Sequence, residues 1–220
     1  MGYLQRFLKY SDICIQCHNN PDADTIASAF GLYRYFSRKG ITTSIIYGGS
    51  GKITKSNTRM MIEQCQIPIQ YTTENPETEL LLLVDCQYGS GNVQRFEAEN
   101  VAMVDHHIQV VELKEDDLIK SNYQSCSTIV YELLKEEQYP VEEDQELKTA
   151  LRYGLYTDTA SFSDLFGSAD MSMCRELFSE DPLFEKLIKS NMSVAELLVV
   201  SDAMYNHFFD VERRFCIVEA

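Results

Sequence analysis

Four short clusters of aspartate and histidine hold the residues of this chain best suited to chemistry. His18-Asn19-Asn20-Pro21-Asp22-Ala23-Asp24 follows the apolar stretch Ile13-Cys14-Ile15. Asp85 closes the run Leu80-Leu81-Leu82-Leu83-Val84, and Asp105-His106-His107 closes Val101-Ala102-Met103-Val104. Asp158 stands between Thr157 and Thr159. Cleaving a phosphoester or phosphoanhydride near neutral pH needs an activated water and neutralised phosphoryl oxygens. Two divalent cations about 3.5–4 Å apart supply both. Such a pair calls for a carboxylate that reaches both ions, further carboxylates on each, and imidazole. The pattern His-x-x-x-Asp-x-Asp meets that need, because a turn after a strand can aim His18 and Asp22 at one ion and Asp24 at its neighbour. Mixed imidazole and carboxylate ligands suit Mn2+ best, with Mg2+, Co2+ or Zn2+ as alternatives.

Three of the four clusters sit at the C-terminal end of a short apolar run that reads as a buried strand. In an open parallel sheet those ends share one edge, where ligands bind. The spacing predicts a strand over 12–17, then a helix over 24–39 with Ile26, Phe30, Tyr33 and Phe36 at helical intervals and Gly40 as its stop. A strand over 41–47, a flexible Gly48-Gly49-Ser50-Gly51 loop, a helix near 58–64 and strands over 80–85 and 101–105 follow. This alternation predicts a doubly wound, mostly parallel α/β sheet flanked by helices. Ser125-Cys126-Ser127-Thr128 opens a helix running to 137, and a helix over 144–157 delivers Asp158. Helices are expected over 171–178, 182–188 and 194–209, and a further strand over 214–218. The organisation expected is a catalytic domain over 1–190 and a helical C-terminal appendage over 191–220.

Composition narrows the setting. A chain of 220 residues can bury an ample core, and 45% hydrophobic with 24% charged residues is ordinary for a soluble globular protein. No stretch approaches the roughly 20 apolar residues of a membrane span, and the first residues lack a secretory apolar core. Seven cysteines without framework spacing predict reduced thiols and a cytoplasmic address. The net charge of −15 disfavours long duplex nucleic acid, whose binding depends on neutralising phosphates. Clustered carboxylates repel one another unless a cation sits between them. The balance points to a small or short anionic substrate approached through metal ions.

Other features have plainer readings. An aspartate after an apolar run often caps a turn or helix, but caps do not call for adjacent histidines. Cys14 and Cys17, three apart in a strand, point to opposite faces and do not form a pair. Gly48-Gly49-Ser50-Gly51-Lys52 lacks the register of a phosphate-binding loop. Arg95 reads as a solvated helix charge, and His207 as a surface or packed histidine.

Taken in order, the four clusters resemble the signature motifs of the DHH phosphoesterase superfamily, over about residues 12–165. That superfamily includes RecJ-type exonucleases, nanoRNA and pAp phosphatases, cyclic-di-AMP phosphodiesterases and family II inorganic pyrophosphatases. The phrase Gly154-Leu155-Tyr156-Thr157-Asp158-Thr159-Ala160-Ser161-Phe162 is similar to the nanoRNA phosphatase branch. The resemblance implies His18, Asp22 and Asp85 on one metal, and Asp24, Asp85, His106 and Asp158 on the other, with Asp85 bridging. It implies His107 against the substrate phosphate, as donor or proton carrier, and Asp105 orienting its neighbours. Asn19 and Asn20 would offer amide donors nearby. The substrate implied is a small nucleotide or short single-stranded oligonucleotide, and a homodimer is compatible with the apolar C-terminal segment. Residues 165–220 show no counterpart of the glycine-rich, histidine-ending motif of the superfamily's usual second domain. Pyrophosphatase-like anhydride cleavage and a metal-retaining nucleotide- or partner-binding module with little turnover are the competing expectations.

Overall fold

The apolar runs that precede the clusters become adjacent strands, because each is too short and too uniformly buried to satisfy its backbone except in a sheet. A computed structural model describes residues 2–165, 167–189, 194–210, 212–213 and 215–218. In chain order the elements are β1 (Asp12–Gln16), α1 (Ala23–Arg38), β2 (Thr42–Tyr47), α2 (Ser56–Gln64), β3 (Ile69–Tyr71), β4 (Leu80–Val84), β5 (Val101–Asp105) and β6 (Leu118–Ile119). They continue with α3 (Cys126–Glu136), α4 (Gln145–Asp158), α5 (Ser168–Glu176), α6 (Pro182–Lys189), α7 (Val194–Tyr205), β7 (His207–Asp210) and β8 (Phe215–Val218).

Strands β1 to β6 form one parallel sheet in the order β3-β2-β1-β4-β5-β6. The chain winds outward from β1 to one edge, returns to β4, and winds outward to the other. Right-handed crossovers in opposite directions place their connections on opposite faces, which is the doubly wound arrangement. On one face Ile13, Ile15, Leu82 and Val84 pack under α1, α3 and α4. On the other, Cys14, Ile46, Leu81, Leu83 and Met103 are covered by Phe96, Tyr88 and Val93 from the irregular connection between β4 and β5. β4 is buried on both faces, and each leucine so buried contributes roughly 1.5–3 kcal/mol. Cys14 and Cys17 fall into these two separate cores, as their spacing requires.

Helix α1 lies between the sheet and α4, and Gly154 permits the approach. A Cβ there would strike Ser127 Oγ and come within 3.1 Å of Asp24 Cα and Oδ1. The first α4 turn is capped by Asp144, whose side chain accepts from Leu147 N.

Some local expectations shift. The helix expected over 194–209 stops at Tyr205, and His207–Asp210 pairs antiparallel with Phe215–Val218. The consecutive Phe208 and Phe209 favour an extended chain over a helix; of the strand expected at 214–218, Phe215–Val218 is their partner and residue 214 lies outside the described residues. β3 and β6 are short edge strands whose sequence carries no apolar run. Arg95 lies in the irregular connection, not a helix, with its guanidinium 5.3 Å from the Tyr88 ring centroid. His207 is exposed at the start of β7. No helix among the described residues is long and apolar enough to cross a membrane.

Candidate metal centre

The site lies past the C-terminal ends of β1, β4 and β5, where the winding direction reverses and the flanking connections part. Cys17 N donates to Ile46 O at 2.9 Å, extending the β1 ladder by one residue before His18 leaves it. His18 Nδ1 donates to Asn19 O at 2.8 Å. Its Nε2 is thereby left facing Asp22 Oδ2 at 3.5 Å and Asp85 Oδ2 at 3.7 Å.

Asp22 divides its two oxygens. Oδ1 caps α1, accepting from Asp24 N at 3.0 Å and Thr25 N at 3.2 Å, while Oδ2 faces His18. The cap therefore occupies one oxygen of this aspartate and leaves the other facing the cluster. Asp24, wholly buried in the first turn of α1, accepts from Cys126 N at 2.7 Å and Ser127 N at 2.9 Å. Its charge thus meets the positive N-terminus of α3.

Asp85 N donates to Val104 O at 2.9 Å, and the backbone then turns sharply with φ at 60°. For an aspartate this left-handed conformation costs on the order of 1 kcal/mol or more, and the turn holds the carboxylate in the centre of the cluster. One Asp85 oxygen faces His18, while the other lies 3.2 Å from His106 Nε2 and 3.6 Å from His107 Nδ1.

Asp105 is wholly buried and acts on its neighbours. Its Oδ1 accepts from His106 N at 2.9 Å and from His107 Nδ1 at 2.8 Å. His106 Nδ1 donates to Tyr123 O at 3.2 Å, leaving Nε2 against Asp85 and, at 3.4 Å, Asp158 Oδ2. Asp158 ends α4, an unfavourable place for an anion beside the helix C-terminus. Ala160, Ser161 and Phe162 then follow with positive φ, which turns the chain away.

So many carboxylates in so little water cannot all ionise freely. Burial, then Asp24 and Asp22, raise the Asp85 carboxyl well above the usual range. Burial, then Asp24, Asp85 and Asp22, push Asp158 up to about 9. Burial also raises Asp24, although the His106 imidazole opposes it. For His18, burial pulls downward but is outweighed by Asp22 and Asp85, leaving it at about 9. The hydrogen bond to Asp105 raises His107, with burial opposing. Asp22 and Asp105 are lowered: burial opposes the shift, but the hydrogen bond from His18 and those from His107 and Gln87, respectively, prevail.

Among the described residues, His18, Asp22 and Asp85 form one group with potential ligand atoms within 4.8 Å of one another. Asp24, His106 and Asp158 form a second, and Asp85, His106 and His107 a third. Asp85 Oδ1 and His106 Nε2 are buried with no hydrogen-bond partner. Both imidazoles present Nε2 because a backbone carbonyl occupies Nδ1, the arrangement typical of metal-ligating histidine. The donors present fit divalent cations.

The two asparagines are placed less directly. Asn19 Oδ1 accepts from Gln94 N at 2.8 Å and Asn19 N donates to Asn92 O at 2.8 Å, tying it to the connection between β4 and β5. Asn20 is exposed with φ at 50°. Sequence reasoning missed Gln87, a buried amide whose Nε2 donates to Asp105 Oδ2 at 2.6 Å and to Ile108 O at 3.1 Å. Its position two residues after Asp85 was the one available signal.

Comparison with known proteins bears on the family and the fold. The family model described as DHH family, N-terminal domain, matches residues 12–156. An uncharacterized protein of Methanocaldococcus jannaschii is 26% identical over 155 residues, covering 70% of this chain and 32% of its own length. The chain thus spans about a third of that relative. A crystal structure of an exopolyphosphatase-related protein from Bacteroides fragilis matches with a TM-score of 0.66 and 17% identity, over 94% of this chain and 66% of its own. A candidate family II inorganic pyrophosphatase of Methanococcus jannaschii matches with a TM-score of 0.57 and 20% identity, over 81% and 61% respectively. At these identities the likeness is one of fold.

Proposed function

The chain belongs to the DHH family, and from that premise we propose that it hydrolyses phosphoester bonds of short oligonucleotides or small phosphorylated nucleotides with the help of two divalent cations, Mn2+ foremost. The observation that carries this reading is the pair of buried, unpartnered atoms Asp85 Oδ1 and His106 Nε2 within a ring of carboxylates. An orphaned buried polar atom costs about 1–3 kcal/mol, and a cation would satisfy both at once. His18, Asp22 and Asp85 would hold one ion; Asp24, Asp85, His106 and Asp158 the other. When bound, the ions supply an activated water and neutralise charge on the phosphoryl oxygens.

The chain's own residues do the rest. Asp85 has one oxygen toward His18 and the other toward His106, so it could contribute to both ligand groups. Asp105 holds the His107 Nδ1–H, which leaves Nε2 to bind a phosphoryl oxygen or pass a proton to the leaving group. Gln87 fixes Asp105 from the opposite oxygen. Surplus negative charge argues against long duplexes as substrates. Six described cysteines are free thiols, in keeping with a reducing, cytoplasmic setting.

The experiment is phosphate release from pAp, an RNA dinucleotide, a cyclic dinucleotide and pyrophosphate, after chelation and again after Mn2+ is restored. Mn2+-dependent turnover of a nucleotide substrate, absent in Asp85→Asn, is expected. Turnover of pyrophosphate alone would replace this reading with anhydride hydrolysis. Silence across the panel with two ions bound would replace it with a binding role.

A further inference from the structure

A depression of about 410 Å3 opens beside His107 and Asp105, walled by Cys86, Gln87, Ser90, Asn92, Ile108 and Val110. It borders the metal centre through His107 and lies within the roughly 300–1,000 Å3 of small-molecule sites. Among the described residues, no lysine or arginine lines it. Its outer wall is apolar: Ile108 is 80% exposed and Val110 59% exposed, an unusual placement for two β-branched residues beside a reactive imidazole. That wall is fixed in place, because Val110 N donates to Gln87 Oε1 at 2.9 Å and Ile108 O accepts from Gln87 Nε2. The far edge is polar. Ser90 Oγ donates to Asn92 Oδ1, and the Asn92 amide nitrogen has no partner among the described residues.

Building on the phosphoesterase reading, we infer that this depression is a subsite for a nucleobase of the substrate. A polyphosphate or pyrophosphate chain entering it would leave apolar surface uncovered and find no cation to meet its charge. A planar base meets the same surface with its face against Ile108 and Val110, and offers ring acceptors to the Asn92 amide. The sugar then bridges to the phosphate at His107. A second depression, between α2 and α6, does carry Arg59 and Lys186, but it shares no lining residue with this site.

Two arms test the subsite separately from catalysis. In the first, the chelator-treated full chain with labelled Ile and Val methyls is titrated with AMP and with ribose 5-phosphate, and NMR shifts are followed. The Ile108 and Val110 methyls should shift with AMP and not with ribose 5-phosphate; equal responses, or none, overturn the subsite. In the second, kcat/KM for an RNA dinucleotide is divided by that for its abasic counterpart. This ratio should fall about tenfold or more in Val110→Asp and in Ile108→Asp, and an unchanged ratio overturns the subsite. Methyl shifts from AMP in a chain that cleaves none of these substrates would support the subsite and remove the phosphoesterase reading.

Discussion

Asp85 Oδ1 and His106 Nε2 lie 3.2 Å apart, both buried and neither hydrogen-bonded among the described residues. Neither atom has a hydrogen bond in the protein alone, and a cation beside them would satisfy both. The carboxyl is raised well above its ordinary range by burial and by Asp24 and Asp22, so the fold bears a cost for holding it there.

Asp85→Asn separates that cost from its use. Asparagine tolerates the left-handed backbone at this position as well as aspartate does, so the turn should survive. Mn2+ affinity should drop more than about 100-fold, beyond the effect of losing an outer partner, and turnover should vanish. In chelator the variant should melt higher than the parent, by roughly 2–4 °C for each kcal/mol of relieved repulsion. A lower melting temperature in chelator would contradict the electrostatic account.

The metal-free chain should lose stability as pH rises. The folded-state pKa of His18 is raised from 6.5 to about 9, so its contribution is full below 6.5 and lost as pH passes 9. Asp158 is raised from 3.8 to about 9, and its contribution fades across that wider window in the same direction. Asp22 and Asp105 are lowered, so theirs is lost only in acid. Melting temperature in chelator should therefore fall between pH 6.5 and 9, and Mn2+ should raise it most at the alkaline end. A flat profile in chelator would refute the pH argument.

Much of this was legible in the sequence because strand ends declare themselves. Asp85 and Asp105 close apolar runs, so a parallel sheet brings them together without further information. Potential ligand atoms of His18, Asp22 and Asp85 lie within 4.8 Å of one another, as do those of Asp24, His106 and Asp158. Gln87 was illegible because its role depends on an oxygen of Asp105 and a loop some twenty residues away. The Phe208–Phe209 strand was mistaken for helix because apolar periodicity does not distinguish a helix end from a hairpin start. The demand for a small residue at Gly154 comes from Asp24 of α1 and Ser127 of α3, which only the packed fold brings against it.

Gly154→Ala tests that contact. Its Cβ would press Ser127 Oγ and the Asp24 backbone, and overpacking of this kind costs about 1–3 kcal/mol. Asp24 should be displaced from the α3 N-terminus, so Mn2+ affinity should weaken along with thermal stability. Adding Ser127→Gly should recover part of both losses. Measuring melting temperature and Mn2+ affinity across the four proteins of this cycle checks the contact, and strictly additive effects would contradict it.

Asp105→Asn should uncouple orientation from metal binding. Asparagine has one acceptor oxygen where the carboxylate used two, one for His107 Nδ1–H and one for Gln87 Nε2–H, and it removes the charge, so the hold on His107 weakens while none of the proposed ligands changes. Steady-state kinetics should show kcat reduced by about 10²–10⁴-fold, the scale of a lost proton-transfer group, at near-parental Mn2+ content. His107→Ala should give a similar loss, and the double variant little more. Independent, multiplying losses would show that the two residues do not act together.

The most direct test is electron paramagnetic resonance of the chain reloaded with Mn2+. Two ions sharing the Asp85 carboxylate should give a spin-coupled signal at two Mn2+ per chain, lost in Asp85→Asn. A single ion, or two uncoupled signals that persist in that variant, would contradict the dinuclear centre on which the account rests.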